Sequence, residues 1–195
     1  TFEENMKKFL LNVLSLITVA YTIYYMSLNE LATNEGALSK TGLKHPILFA
    51  VWGILTYISL YFGIFAVSNR FKVTKNIHYV LALAALAGMA MTLIFKFDYS
   101  VRVQYLLHCA GSLIFSVCTG ICVFITYLFN FKKNLFFSVF TVIIGLILVT
   151  DLIFLLIFKQ NALIEALPVI FALVLIPITL YIPVKKEKEY ADAAR

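Results

Sequence analysis

Six long apolar runs take up most of the chain. They cover residues 9–28, 47–67, 79–95, 103–129, 135–158 and 163–184. A helix needs about 20 apolar residues to cross the hydrocarbon core of a bilayer, and each run approaches or exceeds that length. The runs are apolar on every face and show no period of two, which argues against a β-barrel. Because lipid offers the backbone no hydrogen-bond partner, the runs predict transmembrane helices.

The composition excludes two other classes of protein. Hydrophobic residues make up 62% of the 195 residues and charged residues only 13%, whereas soluble domains carry about 25% charged residues. A soluble enzyme of this size could not hide so much apolar surface, and a disordered chain would be less apolar. No internal repeat or linker divides the sequence. We therefore predict an all-α polytopic integral membrane protein, a single domain over residues 1–195 with six helices in an antiparallel bundle.

The distribution of Lys and Arg predicts the orientation. Of the 16 such residues, one side of the predicted topology holds 11 and the other holds five. The richer side contains Lys7, Lys8, Arg70, Lys72, Lys75, Lys132, Lys133, Lys185, Lys186, Lys188 and Arg195. Since positive residues concentrate in cytoplasmic loops, we expect both termini in the cytoplasm and the protein in the cell membrane. The net charge of +6 then indicates contact with anionic membrane lipids and not with nucleic acid; a protein partner or oligomer stays open.

The first apolar run is a span and not a signal peptide by two criteria. It is too long for the apolar region of a signal peptide, and no small-residue cleavage site follows it. The stretch Met6-Lys7-Lys8-Phe9 is typical of a natural start. This leaves open whether residues 1–5, and residues 191–195 at the other end, belong to the natural chain.

One connection is much longer than the others. Residues 29–45 join the first two spans on the predicted outer side. Ser27 and Glu30 fit a capping box, which indicates a short helix at the membrane surface. The loop could also serve as a lid over an outward pocket, but we favour a solvated connector.

Small residues and prolines give two packing expectations. The third span carries Ala82, Ala84, Ala85, Ala87, Gly88 and Ala90, and small residues let helix backbones approach closely in lipid, so we expect this helix to be tightly packed. In the sixth span we expect Pro168 in the first helical turn, where proline is tolerated, and a kink at Pro177.

The polar residues of the spans point to a candidate site at the outer end. Asp151 lies roughly 10 Å and His108 roughly 8 Å from that end at the helical rise per residue. From this equal depth we expect the two side chains to face each other across a cavity. Ionisable residues inside a membrane are usually functional or paired. The candidate ligand-binding residues are Asp98, Arg102, Gln104, His108, Asp151 and Glu165.

The fourth span carries a polar face at helical spacing. Its members are Gln104, His108, Ser112, Thr119, Cys122 and Thr126. Lipid would not tolerate such a face, so we expect it to look inward and to line an outward-opening cup. The cup would contain no cofactor other than a bound lipid.

These residues leave three functions open. We favour a non-catalytic pocket for a lipid head group or small amphiphile, in which Arg102 and Lys96 would meet an anionic group. The first alternative is a metal-dependent membrane-embedded hydrolase, with zinc held by residues chosen from His108, Asp151, Asp98 and His45. The second alternative is a small-solute transporter or channel subunit. Without any ligand, ion pairs of Asp151 with Arg102 and of His108 with Asp98 would join the helix ends.

A short motif adds a family resemblance. Phe97-Asp98, followed by His108-Cys109-Ala110-Gly111-Ser112-Leu113-Ile114-Phe115, resembles a pattern of six-helix membrane proteins of the Frag/DRAM group and related uncharacterised bacterial families. In that pattern an acidic residue ends the third helix, and a His near the start of the fourth precedes a small pair and an aromatic residue. Residues 29–31 and 45–49 are similar to the first outer loop and second helix of those proteins.

The resemblance implies six spans with both termini inside. It also implies a distant relation to metal-dependent membrane hydrolases with seven helices, which would make Asp98 and His108 part of a metal or polar site. The chain lacks the paired His residues that those hydrolases carry in their last helix, and this departure weighs against hydrolysis.

Overall fold

The computed structural model describes residues 2–183, and these contain helices and no strand. The helices are α1 (Phe2–Met26), α2 (Leu38–Lys44), α3 (Pro46–Arg70), α4 (Asn76–Ile94), α5 (Arg102–Leu128), α6 (Leu135–Phe158) and α7 (Ala162–Thr179), with a 3-10 turn at Asn34–Gly36. All except α2 are long and apolar enough to cross a membrane. For residues 2–183, the predictions of an all-helical fold and of six long apolar helices are confirmed.

The helix ends differ from the predicted spans at both ends of the chain. Helix α1 begins at Phe2, because Glu3 pairs with Lys7 at 2.6 Å and Glu4 with Lys8 at 2.9 Å, at the spacing that stabilises a helix. Helix α7 ends at Thr179, and a turn leads to Pro183, which cannot continue a helix. The predicted end at residue 184, the basic residues Lys185, Lys186, Lys188 and Arg195, and the terminal residues 1 and 191–195 lie outside the described residues.

The segment between α1 and α3 is not a solvated connector, so that expectation is wrong. Helix α2 folds against the bundle, and residues 36–39, 41 and 42 are buried. The approach is close, because a Cβ atom at Gly42 would lie 2.8 Å from Cγ of Phe49 in α3. The helix expected from Ser27 and Glu30 is absent from the described chain. The Ser27 hydroxyl donates backwards to the Tyr24 carbonyl at 2.7 Å, and so completes the end of α1 instead of capping a new helix.

The helix ends gather into two groups at opposite ends of the molecule. We call the end that carries α2 the α2 end; the last turn of α1 and the first turn of α7 both bond there to Leu38. At the opposite end, the Arg70 guanidinium pairs with Glu4 of α1, and Lys133 donates to the carbonyl of Phe71 at 2.5 Å. These contacts fix which helix ends surround the candidate site.

Helices α4 and α5 cross with their backbones in contact. A Cβ atom at Gly88 would lie 2.6 Å from the amide N of Phe115 and 2.7 Å from the carbonyl O of Gly111. A Cβ atom at Gly111 would lie 2.7 Å from the carbonyl O of Gly88. The tight packing predicted for the third span is confirmed. This crossing holds α5, the helix with the polar face, in its place.

We predict that Gly111→Leu lowers the stability strongly. The side chain would meet backbone atoms that cannot move aside, so the cost should reach or exceed the about 1–3 kcal/mol of core overpacking. At roughly 2–4 °C per kcal/mol, Tm in detergent micelles should fall by several degrees. The control is Gly145→Leu in α6, where a Cβ atom meets only the Phe124 ring, at 3.4 Å. An equal Tm for the two variants would refute close backbone packing.

Candidate functional site

A cavity of about 220 Å³ lies inside the bundle, bounded mainly by α3, α5, α6 and α7. Leu38 and Ser39 of α2 line it at the α2 end. Its polar lining consists of the carboxylates of Asp151 and Glu165, the amide of Gln160, the thiol of Cys109 and the hydroxyls of Ser39, Thr92, Ser112, Ser116 and Thr119. Deeper in the bundle the lining becomes apolar, with Leu60, Phe115, Val123 and Ile144. The cavity is therefore amphipathic along its length.

Asp151 reaches the cavity from the interior of α6. Its side chain is half-buried. Among residues 2–183 no cation pairs with its carboxylate and no donor forms a hydrogen bond with it. Helix α6 itself buries only Phe137, Thr141 and Ile144. Asp151 is thus an unpartnered carboxylate on the helix that is least buried among the six apolar ones.

Glu165 reaches the cavity from the first turn of α7 and also attaches α2. Asn161 caps α7 by accepting the amide of Ile164 at 3.0 Å, which sets the start of the helix and the position of Glu165. Oε2 of Glu165 accepts the backbone N–H of Leu38 at 2.7 Å. Leu38 is the first residue of α2, where an anion is favourable because the N-terminal amides lack helical partners.

His108 is buried and held by two hydrogen bonds. Its Nδ1 lies 2.8 Å from the carbonyl O of Phe95, and its Nε2 lies 2.8 Å from Oγ of Ser39. A carbonyl only accepts, so Nδ1 carries the proton and Nε2 accepts the Ser39 hydroxyl. His108 therefore joins α2 to α5 and to the end of α4. The structure places Ser39 in the cavity lining where we expected His108, and His108 does not face Asp151 across the cavity.

Besides His108, three further predicted site residues lie outside the cavity. Asp98 belongs to the turn after α4, where it accepts the amide of Ser100 at 2.9 Å and its hydroxyl at 2.7 Å. These donors hold the pKa of Asp98 below its usual range. Arg102 is exposed and Gln104 is half-buried at the start of α5, and neither lines the cavity. Of the predicted set, the structure brings only Asp151 and Glu165 together in the cavity. The described residues contain neither of the expected ion pairs, Asp151 with Arg102 or His108 with Asp98.

The polar face predicted for α5 does look inward over most of its length. His108, Thr119, Cys122 and Thr126 are buried, and Ser112 and Thr119 line the cavity. Gln104, nearest the helix start, and Ser112 are only partly buried. The helical spacing of these residues was sufficient to predict their direction, because a helix in lipid must turn such a face towards protein.

The candidate metal ligands do not fit a zinc site. Zinc sites use three or four His, Cys or carboxylate ligands at one point. Within residues 2–183, no group of three or more such side chains is close enough together to hold a metal ion. His45 is exposed before α3, and both ring nitrogens of His108 have other partners. We derive no step through a metal.

Pro168 contributes to the cavity in a way that the sequence did not suggest. It lies inside α7 and not in the first turn, so that expectation is wrong. Since proline has no N–H, the carbonyl of Ile164 one turn earlier loses its helical donor. Both residues line the cavity. The carbonyl of Ile164, the residue before Glu165, is therefore a backbone acceptor without a helical hydrogen bond.

A groove on the outer surface of α6 and α7 adjoins the cavity. Its volume is about 670 Å³. Phe154, Phe158 and Leu167 are exposed along it. The residues common to the groove and the cavity are Ile147, Asp151, Ile164, Pro168 and Phe171. The cavity therefore adjoins an apolar groove on the outer surface between α6 and α7.

The contribution of α2 was missed by sequence reasoning. Leu38 and Ser39 supply the partners of Glu165 and His108. One signal was present, because the loop contains Ala37, Leu38 and Leu43, more apolar residues than a solvated connector needs. Their partners lie far along the chain, so the spacing of residues could not identify them.

We predict that His108→Ala destabilises the protein by about 1–3 kcal/mol, because it leaves the Phe95 carbonyl and the Ser39 hydroxyl buried without partners. Thermal unfolding in detergent micelles measures the loss. The control is His45→Ala, which removes an exposed imidazole and should leave Tm within about a degree, as surface changes usually do. A His108→Ala variant as stable as the control would contradict the role of His108 as a structural connector.

Comparisons of the chain with protein-family models, with curated proteins and with solved structures found no match. The resemblance to the Frag/DRAM group stays a prediction that rests on the residues quoted for it.

Proposed function

We propose that the protein is a multi-pass integral protein of the cell membrane whose cavity binds a lipid head group or small amphiphile without catalysing a reaction. Its six spans alternate in direction as an antiparallel bundle, with both termini in the cytoplasm and the α2 end outside. The observation that carries the proposal is an amphipathic cavity among apolar helices that shares five lining residues with an apolar groove on the outer surface.

The lining of the cavity matches the two parts of an amphiphile. Asp151, Glu165 and Ser39 offer hydrogen-bonding groups near the α2 end, and Phe115 and Val123 surround an apolar space deeper in the bundle. Ligand pockets typically combine a mostly apolar wall with a few polar groups that fix the orientation of the ligand. A head group at the α2 end and a hydrocarbon chain below it would satisfy both parts.

The route into the cavity also favours a ligand that comes from the membrane. At the α2 end, Leu38 and Ser39 lie over the cavity and are fastened by Glu165 and His108. Between α6 and α7 only a few side chains shared by both linings, such as Asp151 and Ile164, lie between the cavity and the apolar groove. A molecule already dissolved in the bilayer could enter there without passing α2.

The proposed orientation agrees with the charges at the end opposite α2. Arg70, Lys72, Lys75, Lys132 and Lys133 belong to the turns at that end. Basic loops of this kind lie on the cytoplasmic side. The α2 end and the polar part of the cavity would then face outwards.

Neither alternative function gains a specific observation. The hydrolase alternative needs ligands that converge on a metal, and the candidate residues do not converge. The transporter alternative needs polar groups available through the span. Thr18 and Ser59 instead bond to each other at 2.6 Å, and the Trp52 indole donates to Thr22 at 3.2 Å.

We predict saturable quenching of Trp52 fluorescence by a nitroxide-labelled single-chain alcohol in neutral detergent micelles. Trp52 is the one Trp of the chain, and it lines the cavity. Ser112→Phe fills the cavity and should weaken binding at least about tenfold, which corresponds to only about 1.4 kcal/mol. The control is Val117→Phe, which adds the same ring on the exposed face of α5. Quenching that stays unsaturated, or that is unchanged by Ser112→Phe, would refute the pocket.

The orientation has its own test. Leu43→Cys places a thiol at an exposed position of α2, and Lys132→Cys places one in an exposed turn at the opposite end. A membrane-impermeant maleimide should label the first in intact cells and the second only after permeabilisation. The parent protein, whose three Cys residues all lie in α5, supplies the background. The reverse pattern would place the termini outside.

A further inference from the structure

We infer that the head group held in the cavity is a primary ammonium group, so that the ligand is a cationic single-chain amphiphile. This inference rests on the proposed function, because it concerns the occupant of the same cavity. It concerns the sign of the charge and the hydrogen-bonding character of the head group. Both follow from which groups of the protein reach the cavity and which do not.

The groups with the strongest hydrogen-bonding capacity in the cavity are acceptors. They are the carboxylates of Asp151 and Glu165. Ile164 also lines the cavity, and its carbonyl lacks a helical donor because residue 168 is proline. The amide side chain of Gln160, which can donate as well as accept, is the remaining strongly polar group of the lining. The hydroxyls of Ser112 and Ser116 can accept as well as donate. No Lys, Arg or His lines the cavity within the described chain.

The cations of the α2 end are elsewhere. Lys40 donates to Asn34 at 2.6 Å and pairs with Glu35 at 2.8 Å. Lys44, Lys96, Arg102 and Lys159 are exposed and line neither the cavity nor the groove. The anionic head group expected from Arg102 and Lys96 would therefore meet no positive charge in the cavity, and it would add a negative charge beside two carboxylates.

The two carboxylates have free acceptor positions. Within residues 2–183, Asp151 accepts no hydrogen bond, and Glu165 uses only Oε2, for the amide of Leu38. A carboxylate away from water is costly unless a cation or donor satisfies it. A primary ammonium carries three donors, which suffice for Asp151, Oε1 of Glu165 and the carbonyl of Ile164. The ligand would thus supply the partner that the protein does not.

The position of Asp151 suits the capture of such a ligand from the bilayer. Asp151 lines both the cavity and the groove between α6 and α7. An ammonium that arrives along the groove meets Asp151 before it reaches Glu165. Its bound position would connect α6 to α7, and so attach the least buried of the six apolar helices to the rest of the bundle.

The test compares three nitroxide-labelled probes that share one alkyl chain and differ only in the head group: a primary ammonium, a hydroxyl and a phosphate. Each is titrated against the unmodified protein in neutral detergent micelles, with Trp52 quenching as the signal. The ionic strength is kept near 0.15 M, where the Debye length of about 8 Å limits attraction to surface charges. We expect the ammonium probe to bind about tenfold tighter than the hydroxyl probe, since charge-assisted hydrogen bonds are the stronger kind, and the phosphate probe to bind weakest.

Asp151→Asn supplies the matched variant. It keeps the shape of the side chain and removes a charge that holds no other bond in the described structure. The affinities of the ammonium and hydroxyl probes are therefore compared within the same variant. The preference for the ammonium probe should fall to within about threefold, because the charge assistance is lost. The control is Asp98→Asn, which removes a carboxylate outside the cavity and should leave the preference intact.

The outcomes separate this inference from the proposed function. Equal saturable binding of the ammonium and hydroxyl probes, or tighter binding of the phosphate probe, would overturn the ammonium head group and leave the amphiphile pocket in place. An ammonium preference that survives Asp151→Asn would overturn the role of Asp151. Failure of all three probes to quench in a saturable way would overturn the pocket itself. The titrations of the unmodified protein alone decide whether the ammonium head group is preferred and whether the pocket exists. Only the role of Asp151 needs a variant.

Discussion

The architecture of the candidate site depends on how the peptide groups of Leu38 are satisfied. Away from water, a backbone N–H or C=O without a partner costs several kcal/mol in free energy. Glu165 of α7 accepts the N–H, and the Tyr25 hydroxyl of α1 donates to the C=O at 2.9 Å. His108 of α5 holds the neighbouring Ser39. Three helices, two of them distant in sequence, thus converge on two consecutive residues, and they fix the short helix that covers the cavity.

The sequence predicts the helices well because membrane insertion is a local requirement. A run of apolar residues must form a helix in lipid whatever surrounds it. Five of the six helix starts and five of the six helix ends therefore lie within three residues of the predicted ones. The exceptions have local causes, such as the ion pairs of Glu3 and Glu4 that extend α1. The inward direction of Ser112 and Thr119 was also predictable from helical spacing. The partners within the site were not, because Glu165 and Leu38 are separated by 127 residues.

The local nature of sequence patterns also explains why Asp98 and Arg102 were predicted in the site but do not line the cavity. Asp98 and Arg102 lie at helix ends, where a side chain need not point into the bundle. Arg102 is exposed, and Asp98 accepts hydrogen bonds from Ser100 in the turn after α4. Asp151 has no such choice, because it is enclosed by seven further helical residues on its outer side. Depth within a span was therefore a better indicator of a cavity residue than polarity alone. His108 is an exception, because it is deep in the span but does not line the cavity. Its imidazole instead joins the Phe95 carbonyl to Ser39.

The sparse burial of α6 has a consequence for the kinetics of binding. Helix α6 buries three residues, whereas α2, despite having only seven residues, buries four and is bonded to three other helices. Elements with few buried contacts are the first to open in native fluctuations. The residence time of a bound amphiphile would then be set by excursions of α6 away from α7 and not by release of the cap. Lipid composition and lateral pressure, which act directly on an exposed helix, would change the residence time of the amphiphile.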